Sequence, residues 1–223
     1  MFGSALIGLS ASLLVLAPSA GTQGGGGEAE PLSLPAPSKT GRMSLEEALS
    51  RRRSVREFAA TPLTLEDLSQ LLWAAQGVTD AEGRRTTPSA GGLYGLELYG
   101  VLPTGVYHYE PGAHRLVRIS SADLRAPLDA AALGQGMVRQ APATFVIAGV
   151  YERIERKYGR ARGPRYVHME AGHAAQNLLL EAVARGLGSV PVGAFDDARV
   201  QQTLGLPDDH KPLYLLPVGR PRA

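Results

Sequence analysis

Residues 143–150 read ATFVIAGV, an unbroken apolar run with β-branched side chains that predicts a central strand buried on both faces of a sheet. A second apolar stretch spans 166–187, where alanine, leucine and valine cover most of the circumference of a predicted helix. Because a helix that is apolar on all sides must be buried, part of its surface is expected at a subunit interface.

Shorter segments on both sides of the strand complete the predicted fold. A capping box at Ser44 and Glu47 opens the first helix, which runs into an arginine cluster, and Gly77 is expected to end the second helix. Further helices are predicted at 121–133 and 196–204, and further strands at 96–102, 106–109, 116–119 and 213–218. Helices and strands interleave, which predicts an α+β (mixed α/β) class with a central mixed sheet flanked by helices.

Composition limits the chemistry that the chain can perform. Its 223 residues are 44% hydrophobic and 20% charged, enough for one well-filled core. The net charge of +2 creates no field that demands nucleic acid, so no nucleic-acid partner is expected. Cysteine is absent, which excludes disulfides, thiolate nucleophiles and cysteine-ligated metals. Any redox chemistry therefore requires a non-covalently bound organic cofactor.

The first forty residues are expected to lie outside the folded domain. Residues 1–20 carry no charged side chain and resemble a signal peptide, which predicts an exported protein with no membrane span in the mature chain; a misread leader would leave it cytoplasmic. Residues 21–42 are rich in glycine and proline and predict a flexible linker. The folded domain is accordingly expected at 43–223.

Residues 51–58, RRRSVREF, form the strongest candidate for an anion site, since guanidinium groups and a hydroxyl match phosphate oxygens. The same arginines at the end of a helix can instead complement its dipole and cap its free carbonyl groups, and both interpretations stay open. Two glycine-rich turns, at 80–94 and 186–193, allow the backbone to approach a flat or anionic ligand closely.

Several other kinds of site have no support in the sequence. His168 and His173 are five residues apart, so on a helix they point in different directions and a single metal site cannot easily take both. The GLGSVP segment at 186–191 fails as a dinucleotide fingerprint because proline replaces its third glycine and a helix precedes it. No G-x-S-x-G or Walker A sequence occurs, which leaves hydrolase and NTPase functions without a motif.

Three separated segments together resemble the nitroreductase superfamily, and in particular its SagB-like dehydrogenases, which are related to azoline-oxidising enzymes. They are RRSVREF at 52–58, PSAGGLYGLELY at 88–99 and the segment from KYGRARG to GAFDD at 157–197. The resemblance implies a nitroreductase-like fold that binds FMN at a homodimer interface. It also implies hydride transfer between the flavin and a small-molecule or peptide substrate.

The resemblance assigns residues to the flavin in three groups and a late arginine. The phosphate and the pyrimidine side of the ring would meet Arg52, Arg53, Ser54 and Arg56. A loop from the partner subunit would lie against the ring through Pro88, Ser89, Ala90 and Gly91. The redox edge would face the backbone of Pro191, Val192, Gly193 and Ala194. A late basic phosphate ligand matches either Arg220 or Arg222.

Lys157 and Tyr158 resemble a pair that removes a proton in azoline oxidation, although a solvated surface pair explains them equally well. In the reductive direction, NAD(P)H is a candidate electron donor for a nitroaromatic or quinone acceptor. The alternative to an enzyme is a flavin-binding or scaffold protein without turnover in a biosynthetic complex.

Overall fold

A computed structural model describes residues 31–222 of the chain. The predicted signal peptide and the first part of the predicted linker lie outside these described residues. Within the described part, no helix is both long enough and apolar enough to cross a membrane.

The described residues form seven α-helices, one short 3₁₀ helix (Ala90–Gly92) and seven strands. The helices are α1 (Leu45–Arg51), α2 (Leu65–Gln76), α3 (Arg125–Ala131), α4 (Met137–Gln140), α5 (Tyr151–Tyr158), α6 (Gly163–Ala184) and α7 (Asp197–Leu204). The strands are β1 (Leu32–Ser33), β2 (Leu96–Leu102), β3 (Gly105–Glu110), β4 (Arg115–Ser120), β5 (Ala143–Gly149), β6 (Gly188–Ser189) and β7 (Lys211–Gly219).

All strands join one sheet in the order β1-β4-β3-β2-β5-β7-β6. Every residue of β5 is buried, as its apolar sequence predicts, and β5 pairs antiparallel with both β2 and β7. One apolar core joins the sheet to α2 and α6, and a second core on the sheet involves α3 and α7. The predicted α+β class is confirmed, but the predicted mixed sheet is not, because all the described strands pair antiparallel.

The long helix α6 begins at Gly163 and ends at Ala184, three residues earlier at each end than the sequence predicts. Pro164 lies in its first turn, where a missing amide hydrogen costs nothing, and Gly186 with φ +69° follows its end. At about 1.5 Å per residue, its 22 residues span about 33 Å. This helix therefore sets the distance between the segments at its two ends.

Helix starts differ in how completely they are capped. In α1, the Ser44 hydroxyl accepts a hydrogen bond from the Glu47 amide at 3.1 Å, but the Glu47 carboxylate pairs with Arg51 at 2.7 Å instead of completing the predicted capping box. In α2, Thr64 and Asp67 form both bonds of a capping box. Gly77 ends α2, as predicted.

The predicted start of the folded domain at Met43 is too late, because residues 31–42 pack against the domain. Strand β1 pairs with β4, and the Ser69 hydroxyl donates to the Pro35 carbonyl oxygen at 2.6 Å. Ser38 and Gln70 exchange two hydrogen bonds of 2.9 Å each. Polar groups on α2 satisfy the backbone of this segment, which explains how a sequence rich in proline and poor in large apolar groups becomes ordered.

Two helices escaped prediction, and one is shorter than expected. The short α4 and the charged α5 lie in segments for which the sequence predicted neither helix nor strand. Helix α3 starts at Arg125 instead of residue 121, so Pro127 lies in its first turn and does not kink the helix.

Candidate functional site

The glycine-rich loop at 88–92 lies against the Lys157 and Tyr158 pair. Gly91 has φ +63°, and a Cβ built on it would lie 2.9 Å from both Lys157 Nζ and Tyr158 Oη. The Lys157 ammonium lies 5.6 Å from the centre of the Tyr158 ring. Two segments that the sequence singled out separately thus form one cluster, and a side chain at residue 91 would force the ends of the Lys157 and Tyr158 side chains to move.

A buried carboxylate, which the sequence analysis did not assign to the site, holds this loop. Glu170 is 1% exposed and accepts hydrogen bonds from the Ser89 hydroxyl at 2.6 Å and from the Gly95 amide at 3.3 Å. Gln76 donates to its other oxygen at 3.4 Å. Burial raises the pKa of the Glu170 carboxyl, although these hydrogen bonds oppose the rise. The signal for this role was an acidic residue on a largely apolar helix.

The far end of the loop is held by Arg153 on α5. Its guanidinium donates to the Tyr94 carbonyl oxygen at 2.6 Å and to the Glu97 carboxylate at 2.6 Å. Tyr94 has φ +51°, a left-handed conformation that is unfavourable for tyrosine. The Arg85 guanidinium lies 4.5 Å from the centre of the Tyr94 ring. The loop is therefore fixed from both sides.

A small pocket of about 160 Å³ opens beside the loop. Its walls are Pro88, Ser89, Ala90, Tyr166, Met169, Glu170 and His173. His168 lies elsewhere and bonds to the Tyr151 hydroxyl at 2.6 Å, so the two histidines do not face a common site.

The arginine segment meets the second glycine-rich turn at the other end of α6. Ser54 forms a parallel bridge with Ser189, and the Val55 amide donates to the Ser189 carbonyl oxygen at 3.0 Å. A Cβ on Gly188 would approach the Val55 side chain to 2.7 Å. The first and third sequence motifs are thus joined through their backbones.

The arginines of this segment serve different purposes. Arg53 donates to the carbonyl oxygens of Ser50 at 3.0 Å and Arg52 at 2.8 Å, so it caps the end of α1. Arg52 and Arg56 form no ion pair among the described residues. The capping interpretation therefore fits Arg53, and the anion interpretation keeps Arg52 and Arg56 as candidates.

The C-terminal arginines run beside the same segment. The Ala59 amide donates to the Arg220 carbonyl oxygen at 2.9 Å, and the Arg222 amide donates to the Glu57 carbonyl oxygen at 3.1 Å. The Arg222 guanidinium bonds to the Phe58 carbonyl oxygen at 3.4 Å, whereas the exposed Arg220 has no ion-pair partner in residues 31–222. Of the two, Arg220 is the freer to bind an anion.

The turn at 191–194 is anchored at one residue and open at the others. Val192 is buried and exchanges backbone hydrogen bonds of 2.8 and 3.0 Å with Leu215, while Pro191, Gly193 and Ala194 are exposed. The amides of Gly193 and Ala194 donate no hydrogen bond within the described residues. A Cβ on Gly193 would meet no atom within 4 Å. The turn thus carries two amides that have no acceptor within the described residues.

We call Gly91, Lys157 and Tyr158 the loop cluster. We call Arg52, Ser54 and Arg220 the arginine cluster, because residues 57–59 pair with residues 220–222 through their backbones. Glu170, near the start of α6, holds the loop cluster, whereas Arg185 and β6 follow the end of α6 beside the arginine cluster. At about 1.5 Å per residue, the 15 residues from Glu170 to Arg185 span about 22 Å. The two clusters therefore lie at opposite ends of one helix.

A groove of about 760 Å³ runs beside the C-terminal half of α6. Arg220 and Arg185 line it together with the 38–45 segment. Trp73 on α2 is half-buried and also lines the groove. The groove connects Arg220 with exposed surface of α1, where Leu45 and Leu49 are 61% and 52% exposed.

The sequence profile of the nitroreductase family matches residues 49–220. The chain is 49% identical over 185 residues to the Methanocaldococcus jannaschii protein named "Putative nitroreductase MJ1384", covering 80% of this chain and 91% of that protein. Among solved structures, it is similar to a "putative nitroreductase" from Ralstonia eutropha JMP134, with a TM-score of 0.80 and 33% identity over 87% of this chain and 91% of the other.

A further similarity is to one chain of the E. coli microcin synthetase McbBCD complex with truncated pro-MccB17 bound. The TM-score is 0.70 and the identity 26%, over 87% of this chain and 79% of that one. The family profile spans most of the sequence and the archaeal relative agrees with it along nearly its whole length. The chain therefore belongs to the nitroreductase family, a family of oxidoreductases.

Proposed function

We propose that this oxidoreductase binds FMN as a homodimer and dehydrogenates a peptide substrate in the manner of SagB-type enzymes. The observation that supports it most directly is the contact of Gly91 with Lys157 and Tyr158. Three sequence segments reach the two ends of α6, and each brings the kind of group that one part of a flavin nucleotide requires.

The arginine cluster suits the phosphate of FMN. Arg52 and Arg220 have no ion-pair partner among the described residues, and the Ser54 side chain is exposed. Charge-assisted hydrogen bonds from guanidinium groups to phosphate oxygens are short and strong. The bridge from Ser54 to Ser189 brings this cluster to the start of the turn at 191–194.

The turn at 191–194 suits the redox edge of the ring. The amides of Gly193 and Ala194 have no acceptor within the described residues, and a side chain at residue 193 would occupy the volume that a flat ring needs. Bound FMN would supply hydride transfer, which no ordinary side chain can perform. The preorganised amide hydrogens orient and stabilise charge at that edge.

The separation of the two clusters supports a homodimer. About 22 Å of helix lies between Glu170, which holds Ser89, and Arg185, so the loop cluster and the arginine cluster of one chain lie apart. A second copy running in the opposite direction along α6 brings its loop cluster to the first copy's arginine cluster. The exposed Leu45, Leu49 and Met169 side chains suit burial in such an interface.

Lys157 is the candidate base of the reaction. When its amine is neutral, it accepts a proton from the substrate while hydride leaves the adjacent substrate atom for the flavin. Tyr158 restricts the position of the amine, and Gly91 leaves room for it. The similarity to a chain of the microcin synthetase complex, which holds a pro-peptide, favours a peptide azoline as the group that is oxidised.

Reconstitution with FMN tests the proposal. The purified protein is expected to bind FMN at one flavin per chain, to form dimers in sedimentation, and to bleach anaerobically on addition of an azoline-containing peptide. Lys157→Ala is expected to keep flavin binding and lose bleaching, whereas Lys211→Ala, which changes an exposed lysine outside the loop cluster, serves as the matched control. Bleaching by NAD(P)H but not by the peptide favours the reductive nitroreductase activity. Retained bleaching in Lys157→Ala, or a colourless protein after reconstitution, contradicts the proposal.

A further inference from the structure

The connection between α5 and α6 carries a concentration of positive charge. Residues 156–165, RKYGRARGPR, contain five cationic side chains and no acidic one, in a chain whose net charge is only +2. We call this segment the basic turn. It is compact, because the Gly163 amide donates to the Gly159 carbonyl oxygen at 2.9 Å. Its five cations are Arg156, Lys157, Arg160, Arg162 and Arg165, and all five side chains are exposed.

These cations are poorly neutralised by the rest of the protein. Arg156 pairs with Glu152 at 3.5 Å and Arg160 with Glu155 at 4.0 Å, and these two arginines are 76% and 95% exposed. Such exposed pairs contribute little free energy. Arg162 and Arg165 form no ion pair among residues 31–222. The basic turn therefore keeps most of its charge for a partner.

The dipoles of the two flanking helices explain the cations at the end of α5 but not those at the start of α6. Arg156 and Lys157 lie in the last turn of α5, where positive charge complements the helix dipole. Arg162 and Arg165 lie at the first turn of α6, which has no acidic residue and no side-chain cap, so the dipole opposes their charge. These two arginines destabilise their own helix, and their presence calls for a role outside the fold.

The basic turn borders the loop cluster. Lys157 belongs to both, and the rings of Tyr158 and Tyr166 meet edge to face with centres 4.9 Å apart across the turn. Arg165 is the residue before Tyr166, and Tyr166 also lines the small pocket beside Ser89. A substrate that reaches Lys157 therefore passes along these cations.

We infer that the basic turn binds an acidic stretch of a peptide substrate and guides the neighbouring reactive group to Lys157. The inference rests on the proposed function, because it assigns the substrate class of the same site. Cations spread over ten residues with exposed side chains match several separate carboxylates better than the adjacent phosphates of a dinucleotide. The net charge of the whole chain is only +2, so no overall positive field favours a nucleic acid over an acidic peptide.

Two double variants with equal charge change test the inference. Arg162→Glu with Arg165→Glu reverses the charge of the two arginines at the start of α6. This variant should have a higher thermal stability, since acidic residues suit a helix start. Arg118→Glu with Arg139→Glu reverses two exposed arginines elsewhere that also lack ion pairs in the described chain. The probe is a short peptide of alternating aspartate and serine, with an asparagine counterpart, and binding is measured by calorimetry.

The wild type and the Arg118, Arg139 control are expected to bind the aspartate peptide, with affinity that falls as salt is added. The Arg162, Arg165 variant is expected to bind it about tenfold or more weakly. Equal binding of the aspartate and asparagine peptides, or equal binding by both double variants, overturns the inference. Tighter binding of a single-stranded oligonucleotide than of the aspartate peptide also overturns it. If the Arg162, Arg165 variant fails to fold, the glutamine pair at the same positions replaces it.

Failure of this inference and failure of the proposed function give different results. Peptide binding is measured without flavin, and flavin content is read from the visible spectrum of the same samples. If the protein binds FMN fully but binds the aspartate and asparagine peptides equally, only the assignment of the basic turn as a peptide site is overturned. Charge-selective peptide binding by a chain that takes up no FMN removes only the flavin proposal.

Discussion

Gly91 and Lys157 lie so close that a single added methyl group on the glycine would contact the lysine ammonium at 2.9 Å. The Gly91 backbone therefore leaves little space beside the lysine ammonium. Adding one methyl group at residue 91 or at residue 92 therefore distinguishes a loss of activity from a loss of stability.

Gly91→Ala is expected to reduce turnover sharply, because its Cβ would displace Lys157 Nζ and Tyr158 Oη. Gly92→Ala is the matched control, since Gly92 has nearly the same φ, +66° against +63°, but its Cβ would meet no atom within 4 Å. Both variants should lose about 1 kcal/mol of unfolding free energy, because alanine disfavours the left-handed region. Steady-state kinetics and thermal melts of the two variants test this prediction. Equal turnover by Gly91→Ala and Gly92→Ala would contradict the assignment of Lys157 as the base.

Arg52→Ala is expected to weaken FMN binding by about 1–3 kcal/mol through the loss of a charge-assisted hydrogen bond, and Ser54→Ala should also weaken it. Arg53→Ala should instead lower the unfolding free energy by about 0.5–1 kcal/mol, because Arg53 caps the carbonyl groups at the end of α1. Flavin titration and chemical denaturation separate the two effects. Flavin affinity that is unchanged in both Arg52→Ala and Ser54→Ala would remove the phosphate assignment.

Glu170→Ala is expected to cost about 1–3 kcal/mol of unfolding free energy, because the buried Gly95 amide and the Ser89 hydroxyl lose their acceptor. The Gly95 amide should exchange its hydrogen faster in the variant. Glu181→Ala, on the same helix and without a contact to the loop, should leave that exchange unchanged. Unaltered protection of Gly95 in Glu170→Ala would show that other contacts hold the loop.

Stability should depend on pH through Glu97. Burial alone would raise the pKa of its carboxyl, but hydrogen bonds from His108 and Arg153 outweigh burial and lower the pKa from 4.5 to about 2. The folded state therefore binds this proton less readily than the unfolded state, so the contribution is complete above pH 4.5 and disappears as the pH falls toward 2. Its size is on the order of 3 kcal/mol.

Denaturation of Glu97→Gln and the wild type across this pH range checks the linkage. At neutral pH the variant should be the less stable protein, and the difference should shrink as the pH falls from 4.5 toward 2. A constant difference would contradict it, because the carboxyl would then titrate equally in both states. His108→Gln should lower the unfolding free energy less than Glu97→Gln, since Arg153 would still pair with the carboxylate.

The sequence predicted the parts of the fold that depend on local pattern. The strand at 143–150 and the long helix follow from unbroken apolar runs, and β2 agrees with its predicted bounds of 96–102. Helix α5 was missed because it has only eight residues, most of them charged, and only Ile154 in it is buried.

The site was predictable in its residue types but not in its internal contacts. Nothing local in the sequence indicates that Glu170 meets Ser89, because 81 residues separate them. Which arginine caps α1 and which stays available for an anion likewise depends on where α1 ends. Helix ends are the least certain part of a sequence-based prediction. Long-range partners of charged groups therefore came only from the three-dimensional structure.

The segment at 31–42 has a practical consequence for shortening the protein. Strand β1 covers the outer edge of β4, and the Leu34 amide donates to the His114 carbonyl oxygen at 3.2 Å. A version that starts at Met43 would uncover that edge and leave free backbone groups able to pair with a neighbouring molecule. We therefore expect such a trimmed protein to aggregate, and one that retains Leu32 onward to stay dispersed.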